Sequence, residues 1–211
     1  MKIAVIGATG GTGIQIVERA VARGHEVTAV VRDPAKLAAL TGARVEVARA
    51  DARDAEAQAR AFSGSDVVIS AIGAPPGKDA DHTILRDGIR AALAAMDAAG
   101  VRRLIAVSGS GHSTDGDGVF MRYITKPIVQ AILKDTFTDM KAMEALIRAS
   151  DVEWTIVRPP QLTDRPPRGR YRSRITVNPP GARITRADLA DAILDALARE
   201  DTRDAVLAVA N

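Results

Sequence analysis

The chain has no cysteine among its 211 residues. That absence excludes disulfides, thiolate metal sites and a cysteine nucleophile. Aromatic residues are scarce, with one Trp, two Tyr and three Phe. Base stacking depends on such rings, so nucleic acid is not expected as a partner. Charge of one sign is lacking as well. Lys and Arg number 29 against 26 Asp and Glu, a net charge of +3. The isoelectric point of about 9.5 therefore comes from charges mixed along the chain, not from a basic block. No apolar run reaches the roughly 20 residues that a membrane-spanning helix needs, so no membrane partner is expected. One lysine precedes the first apolar run, which does not read as a secretory leader, and a cytoplasmic location is expected. The three histidines, His25, His82 and His112, lie far apart in sequence, and no metal site is expected. What is present, 46% hydrophobic composition over 211 residues, suits one domain spanning 1–211 with a sizeable core.

The most informative stretch is Ile3-Ala4-Val5-Ile6-Gly7-Ala8-Thr9-Gly10-Gly11-Thr12-Gly13. A short apolar run stops at a glycine cluster. Ile14, Val17 and Val21 then follow at helical spacing up to Gly24. This reads as strand, tight turn, helix. Glycines at 7, 10 and 13 let the backbone turn, approach a pyrophosphate closely and pack the helix on the sheet. The amides at the helix start and the positive end of its dipole then face the phosphates.

Residues 26–31 read as the next strand, completing a strand–helix–strand unit. The residue at the tip of that strand meets the adenosine ribose. An acidic residue there binds a 2′-hydroxyl, and an arginine accommodates a 2′-phosphate. The tip is Arg32, which argues for NADP(H), with Lys36 as a possible second cation and Asp33 as the feature that keeps NAD(H) open. Asp33-Pro34 also reads as a cap followed by a first helical residue.

The alternation continues. Strands are expected near 44–48, 66–70, 103–107 and 153–157, a late one at Ile175, and a last one over 205–209. Helices are expected near 54–61, over 82–99 with Leu85, Ile89, Ala92 and Met96 on one face, over 117–149 with an interruption near Pro127, and over 186–199. This pattern predicts an α/β fold, a doubly wound parallel sheet of Rossmann-like type.

Ligands of such sheets bind outside the carboxyl ends of the strands. Asp51 follows the third strand and suits the adenine amino group, while Asp54 is better placed to cap the next helix. Ser108 ends the fifth strand before Gly109-Ser110-Gly111. Its hydroxyl can donate to a substrate carbonyl, or it is simply a turn residue. Phe137 and Lys141 lie one helical turn apart, and Lys141 either bonds ribose hydroxyls and orients substrate or is a solvated helical lysine. His112 reads as a surface residue. Arg165, Arg168, Arg170, Arg172 and Arg174 form a basic run. Its last three members are expected on one face of a solvated edge strand, with attraction of an acidic substrate as the other reading.

With these residues assembled, the chain resembles the atypical short-chain dehydrogenase/reductase superfamily, in its NAD(P)H-binding group, and within it the biliverdin reductase B/flavin reductase proteins. The carrying residues are Gly7 to Gly13, Val30-Val31-Arg32-Asp33, Asp51, Ile72-Gly73, Ser108 and Arg158-Pro159-Pro160. The resemblance implies that Gly7, Thr9, Gly10, Gly11, Thr12 and Gly13 hold the pyrophosphate, and that Arg32 takes the 2′-phosphate. It gives Asp51 and Ala52 the adenine, Ile72 and Gly73 the ribose and pyrophosphate path, and Pro159 and Pro160 the flanks of the nicotinamide. Two positions depart from it. Phe137 stands where the superfamily's catalytic tyrosine would be, although Lys141 remains, and Tyr123 and Lys126 have the wrong spacing to replace that pair. Gln161 stands where the biliverdin/flavin reductases have a histidine. The expected activity is an NADPH-dependent reductase passing hydride to a planar small-molecule acceptor such as a flavin or quinone, with Ser108 and Lys141 as candidate catalytic residues. The alternative is a non-catalytic NADP(H)-sensing protein that regulates a partner.

Overall fold

The computed structural model describes residues 1–40, 42, 44–73, 81–112, 115–116 and 133–211. The elements are β1 (Lys2–Ile6), α1 (Gly11–Ala22), β2 (Glu26–Val31), β3 (Val45–Arg49), α2 (Ala55–Phe62), β4 (Val67–Ser70), α3 (Ile84–Ala99) and β5 (Arg103–Val107). They continue with α4 (Lys134–Arg148), β6 (Glu153–Arg158), β7 (Gln161–Thr163), β8 (Arg172–Ile175), β9 (Arg183–Thr185), α5 (Arg186–Ala196) and β10 (Ala205–Ala210). The main sheet has the order β3-β2-β1-β4-β5-β6-β10-β8. Neighbours in it pair in parallel except β8, which runs antiparallel to β10 as an edge strand.

The central strands are buried on both faces, which explains their continuous apolar sequence. Successive residues of β1 feed two different cores. Ile3 and Val5 pack with Ile16 and Val17 of α1 and with Leu189 and Ile193 of α5. Ala4 and Ile6 pack with Leu85, Ile89 and Met96 of α3 and with Met143 and Ile147 of α4. This is the period-2 alternation of a strand between two helical layers. The expected stripe of α3 is fully internal, with Leu85 at 2% exposure and Ile89, Ala92 and Met96 at 0%.

The helix ends follow local rules in some places and long-range ones in others. Asp54 caps α2 by accepting from the Ala57 amide at 2.9 Å, as its position before the helix predicted. Thr185 caps α5 by accepting from the Asp188 amide at 3.0 Å. Thr83, before α3, makes no side-chain cap. Instead the buried Asp139 of α4 accepts from the Leu85 amide at 2.9 Å and the Arg86 amide at 3.0 Å. One helix is capped by a carboxylate from another, which locks α3 against α4.

Several boundaries differ from the expectations. β7 and β9 form a separate two-stranded parallel sheet of three residues each, too short for a periodicity signal. Within the helical stretch expected over 117–149, the described residues form α4. Residues 117–132, with Pro127, Tyr123 and Lys126, lie outside the described residues. Arg172 and Arg174 belong to the edge strand β8, whereas Arg170 precedes it, so the three arginines do not share one strand face. Among the described residues, no helix is long and apolar enough to cross a membrane, and no group of acidic or histidine side chains has metal-binding geometry.

Candidate active site

The sheet order reverses at β1, whose neighbours are β2 and β4. That reversal opens a crevice at the carboxyl ends, the position where α/β sheets take ligands. The glycine turn lies in it. Gly7 has a φ of +76°, and a Cβ there would come within 2.7 Å of the Ala71 carbonyl oxygen. A Cβ on Gly13 would sit 2.1 Å from the Gly7 carbonyl oxygen, so α1 starts in contact with the end of β1 only because residue 13 has no side chain. Gly10 differs from both. Its φ of −74° is ordinary, and a Cβ there would meet only the Gly7 oxygen, at 3.3 Å. The fold needs Gly7 and Gly13. At Gly10 the space in front of the helix is open apart from that one tight contact.

That space faces the first turn of α1. Gly10 makes no side-chain cap and no acidic residue lies in the first turn. The amides that begin a helix have no partners within it, so this end presents unneutralised donors and the positive pole of the dipole. Arg186, the first residue of α5, adds a cation that sequence reasoning missed. Its Cδ and Nε would each lie 2.9 Å from a Cβ on Gly11, and its guanidinium pairs with Asp164 at 2.6 Å. Only the packing of α5 on α1 brings it there, through Arg19 and Arg23 paired with Asp191 and Asp195 at 2.7–2.8 Å.

Arg32 leaves the end of β2 exposed, with no ion-pair partner among the described residues. Asp33 is occupied separately, accepting from the Ala35 amide at 3.1 Å. Asp33 caps the turn that follows and leaves the Arg32 side chain outside that bond. Asp51 is exposed, and its Oδ1 accepts from the Arg53 amide at 2.9 Å. Ala52 is held by the fully buried Gln58, whose Nε2 donates to the Ala52 carbonyl at 2.6 Å. A Cβ on Gly88 of α3 would touch both Ile72, at 2.8 Å, and Ala52, at 3.6 Å. The loops after β3 and β4 therefore converge on one point of α3. Arg53 braces this corner by pairing with Asp81 at 2.5 Å, and the ion pair holds the Asp81 carboxyl below its ordinary value.

The other half of the rim departs from the expected chemistry. Ser108 is 6% exposed, and its hydroxyl donates to Glu144 of α4 at 2.7 Å. Glu144 also accepts from Arg158 through Nε at 2.9 Å and Nη2 at 2.5 Å, and from Arg148 at 3.3 Å. The proton that the sequence reading offered to an acceptor is thus committed to a buried carboxylate. Sequence spacing gives no sign of this, because Ser108, Glu144 and Arg158 come from the turn after β5, from α4 and from β6. The network fixes the turns after two strands. Next to it the Ser108 amide donates to the Val157 carbonyl, and the Ser110 amide to the Pro159 carbonyl, both at 2.8 Å. Pro159 is buried and Pro160 half-buried at this edge. Phe137 lies under the same loop, its ring 2.4 Å from where a Cβ of Gly111 would be. Lys141 is exposed and makes no hydrogen bond or ion pair among the described residues. Gln161 is taken up by β7, its side-chain oxygen accepting from Arg183 at 3.1 Å. His112 closes a short helical turn after β5.

A family model described as NAD(P)H-binding matches residues 7–200, from the glycine turn to beyond α5. The chain belongs to this NAD(P)H-binding family. A relative in Bacillus subtilis, the uncharacterized protein YwnB, is 30% identical over 204 residues, 93% of this chain and 92% of that one. Solved structures share the fold at lower identity. A short-chain dehydrogenase/reductase from Veillonella parvula, in complex with NADP, superposes with a TM-score of 0.82 at 17% identity, covering 100% of this chain and 94% of that one. ChuY, an anaerobillin reductase from Escherichia coli O157:H7, does so with a TM-score of 0.79 at 23% identity, covering 100% and 97%. For an NAD(P)H-binding protein, the glycine turn, the uncapped start of α1 and the exposed Arg32 form one continuous edge.

Proposed function

We propose that the protein is an NADPH-dependent reductase that passes hydride to a planar small-molecule acceptor such as a flavin or quinone. The observation that carries the cofactor half is the crevice at β1. Gly7 and Gly13 are sterically obligatory, Gly10 leaves room, and the first turn of α1 has no acidic side chain. Gly10 to Gly13, with Thr9, would hold the pyrophosphate. Arg32 would take the 2′-phosphate, Asp51 and Ala52 the adenine, and Ile72 and Gly73 the ribose path. Arg32 without an acidic partner among the described residues supports NADP(H) over NAD(H).

A reduced nicotinamide bound there would supply the hydride. The chain's own part is positioning and exclusion of water. Pro159 and Pro160 would flank the ring, their turn held by the Ser108–Glu144–Arg158 network. Lys141 is left to hold ribose hydroxyls or the acceptor. Ser108 becomes a positioning residue, since its proton lies on the bond to Glu144. A flavin or quinone can take its proton from water, so the arrangement suits such acceptors. The ChuY resemblance supports a reductase of this general kind.

One observation favours the second reading, a sensor of NADP(H) that acts on a partner. Phe137 offers no proton, and that of Ser108 is engaged. NADPH oxidation measured across a panel of flavins, quinones and biliverdin separates the two. Turnover of at least one acceptor supports the reductase. Tight NADPH binding with no turnover of any acceptor replaces it with the sensor.

A further inference from the structure

Arginines around the fold are commonly neutralised by a carboxylate. Arg23 pairs with Asp191 and Asp195, Arg158 with Glu144 and Arg199 with Asp201. Three arginines that are not so neutralised meet in one place. A cleft of about 530 Å³ is lined by Thr163, Arg165, Arg168, Arg183, Thr185 and Asn211, among others. Arg165 and Arg168 have no acidic side-chain partner among the described residues, and the guanidinium of Arg183 bonds only the neutral Gln161.

Two carboxylates lie nearby. Asp164 holds Arg186. Asp188 accepts from the backbone amides of Arg168 and Gly169, from Thr185 and from Asn211, each at 2.8–3.0 Å. Those donors are neutral, so Asp188 keeps its charge and offsets one of the three arginines, and the cleft is left net cationic. Guanidinium groups bind carboxylates and phosphates through paired N–H donors, and the volume lies within the ~300–1,000 Å³ usual for small-molecule sites.

Position ties the cleft to the cofactor edge. β6 and β10 run parallel to β1, and Thr163 and Asn211 lie beyond their carboxyl ends. Thr185 immediately precedes Arg186, which covers Gly11. The cleft therefore adjoins the glycine turn on the side away from Arg32.

We propose that this cleft is an anion-binding site that takes a carboxylate or phosphate group of a small-molecule ligand beside the cofactor. It deepens the reductase reading by giving the acceptor an anionic group. The test is calorimetric titration of NADPH-saturated protein with citrate and, separately, inorganic pyrophosphate, which distinguishes carboxylate from phosphate. One of the two should bind with 1:1 stoichiometry without displacing NADPH. The double variant Arg165→Gln/Arg168→Gln should weaken it about tenfold or more, as loss of charge-assisted bonds requires. Arg60→Gln, exposed on α2, serves as the control for net charge and should leave it unchanged. Absence of binding by the wild-type protein, equal affinity in the double variant, or competition with NADPH would each overturn the proposal. NADPH affinity is read first in the same cell. Its absence would remove the cofactor reading, and the titration of the free protein would then judge the cleft alone.

Discussion

At the scale of single residues, the three glycines of the turn do different work, and substitutions separate them. Gly13→Ala pushes a methyl group into the Gly7 carbonyl and should unfold the protein or strongly destabilise it. Gly10→Val crowds only the Gly7 carbonyl oxygen, 3.3 Å from the new Cβ, and fills the space before α1. It should keep its circular dichroism spectrum and lose NADPH binding. A folded Gly10→Val that binds NADPH normally would place the phosphates elsewhere. Arg32→Ala should weaken NADPH binding by about 1.5–3 kcal/mol, the scale of hydrogen bonds to charged groups, while changing NADH binding much less. Calorimetry with equal losses for both cofactors would end that assignment. Ser108 gives the sharpest contrast between sequence and structure. As a preorganised donor to the acceptor, its loss would cost about 10²–10³ in rate. With its proton on Glu144, Ser108→Ala should lower turnover by less than about tenfold and lower stability by about 1–3 kcal/mol. Steady-state rates and thermal unfolding of that variant decide between the two.

At the scale of elements, what was legible followed from local chemistry. Asp33 and Asp54 cap as their neighbours suggested, and β5 spans Arg103–Val107 as expected. The glycine turn was readable because steric need writes directly into residue type. What was not legible lies in pairs far apart in sequence. Asp139 caps α3 from 54 positions away, and Glu144 joins Ser108 across 36. Neither carboxylate differs in sequence context from a solvated helical one. Asp188 is another such case, tying the loop at Arg168 and Gly169, the start of α5 and Asn211 together. Burial pushes its carboxyl upward, but the donors from Arg168, Thr185, Asn211 and Gly169 outweigh that and hold it below the ordinary 3.8. A carboxyl whose folded value is depressed adds stability above its unfolded value, and that stability is lost as pH falls through the folded value. Unfolding free energy should therefore drop on acidification below about pH 4, and Asp188→Asn should flatten that drop while lowering stability at neutral pH by about 3 kcal/mol. Denaturant titrations of both proteins at pH 3 and pH 7 would show it, and identical pH dependence would contradict it.

At the scale of the whole molecule, the parallel sheet collects residues from seven strand ends onto one edge, and function follows from that collection. The half of the edge proposed for the cofactor was largely readable, since one strand–helix–strand unit at the start of the chain supplies most of it. Of the half proposed for the acceptor, only the double proline and the arginine run were readable. That half is built from β6, β7, β9 and α5, whose contacts no local pattern announces, and it contains Arg186 and the arginine cleft. Fold alone does not choose between a reductase and a sensor. The central claim is that hydride leaves the nicotinamide for an acceptor on this protein. It is tested most directly by comparing NADPH deuterated at either face of C4 with unlabelled NADPH, using the best acceptor of the panel under single-turnover conditions. The account predicts that one of the two deuterated cofactors, and only one, is oxidised more slowly, because the ring is held with a single face toward the acceptor. NADPH that binds yet is oxidised at the same rate in all three forms, or not at all, would contradict it.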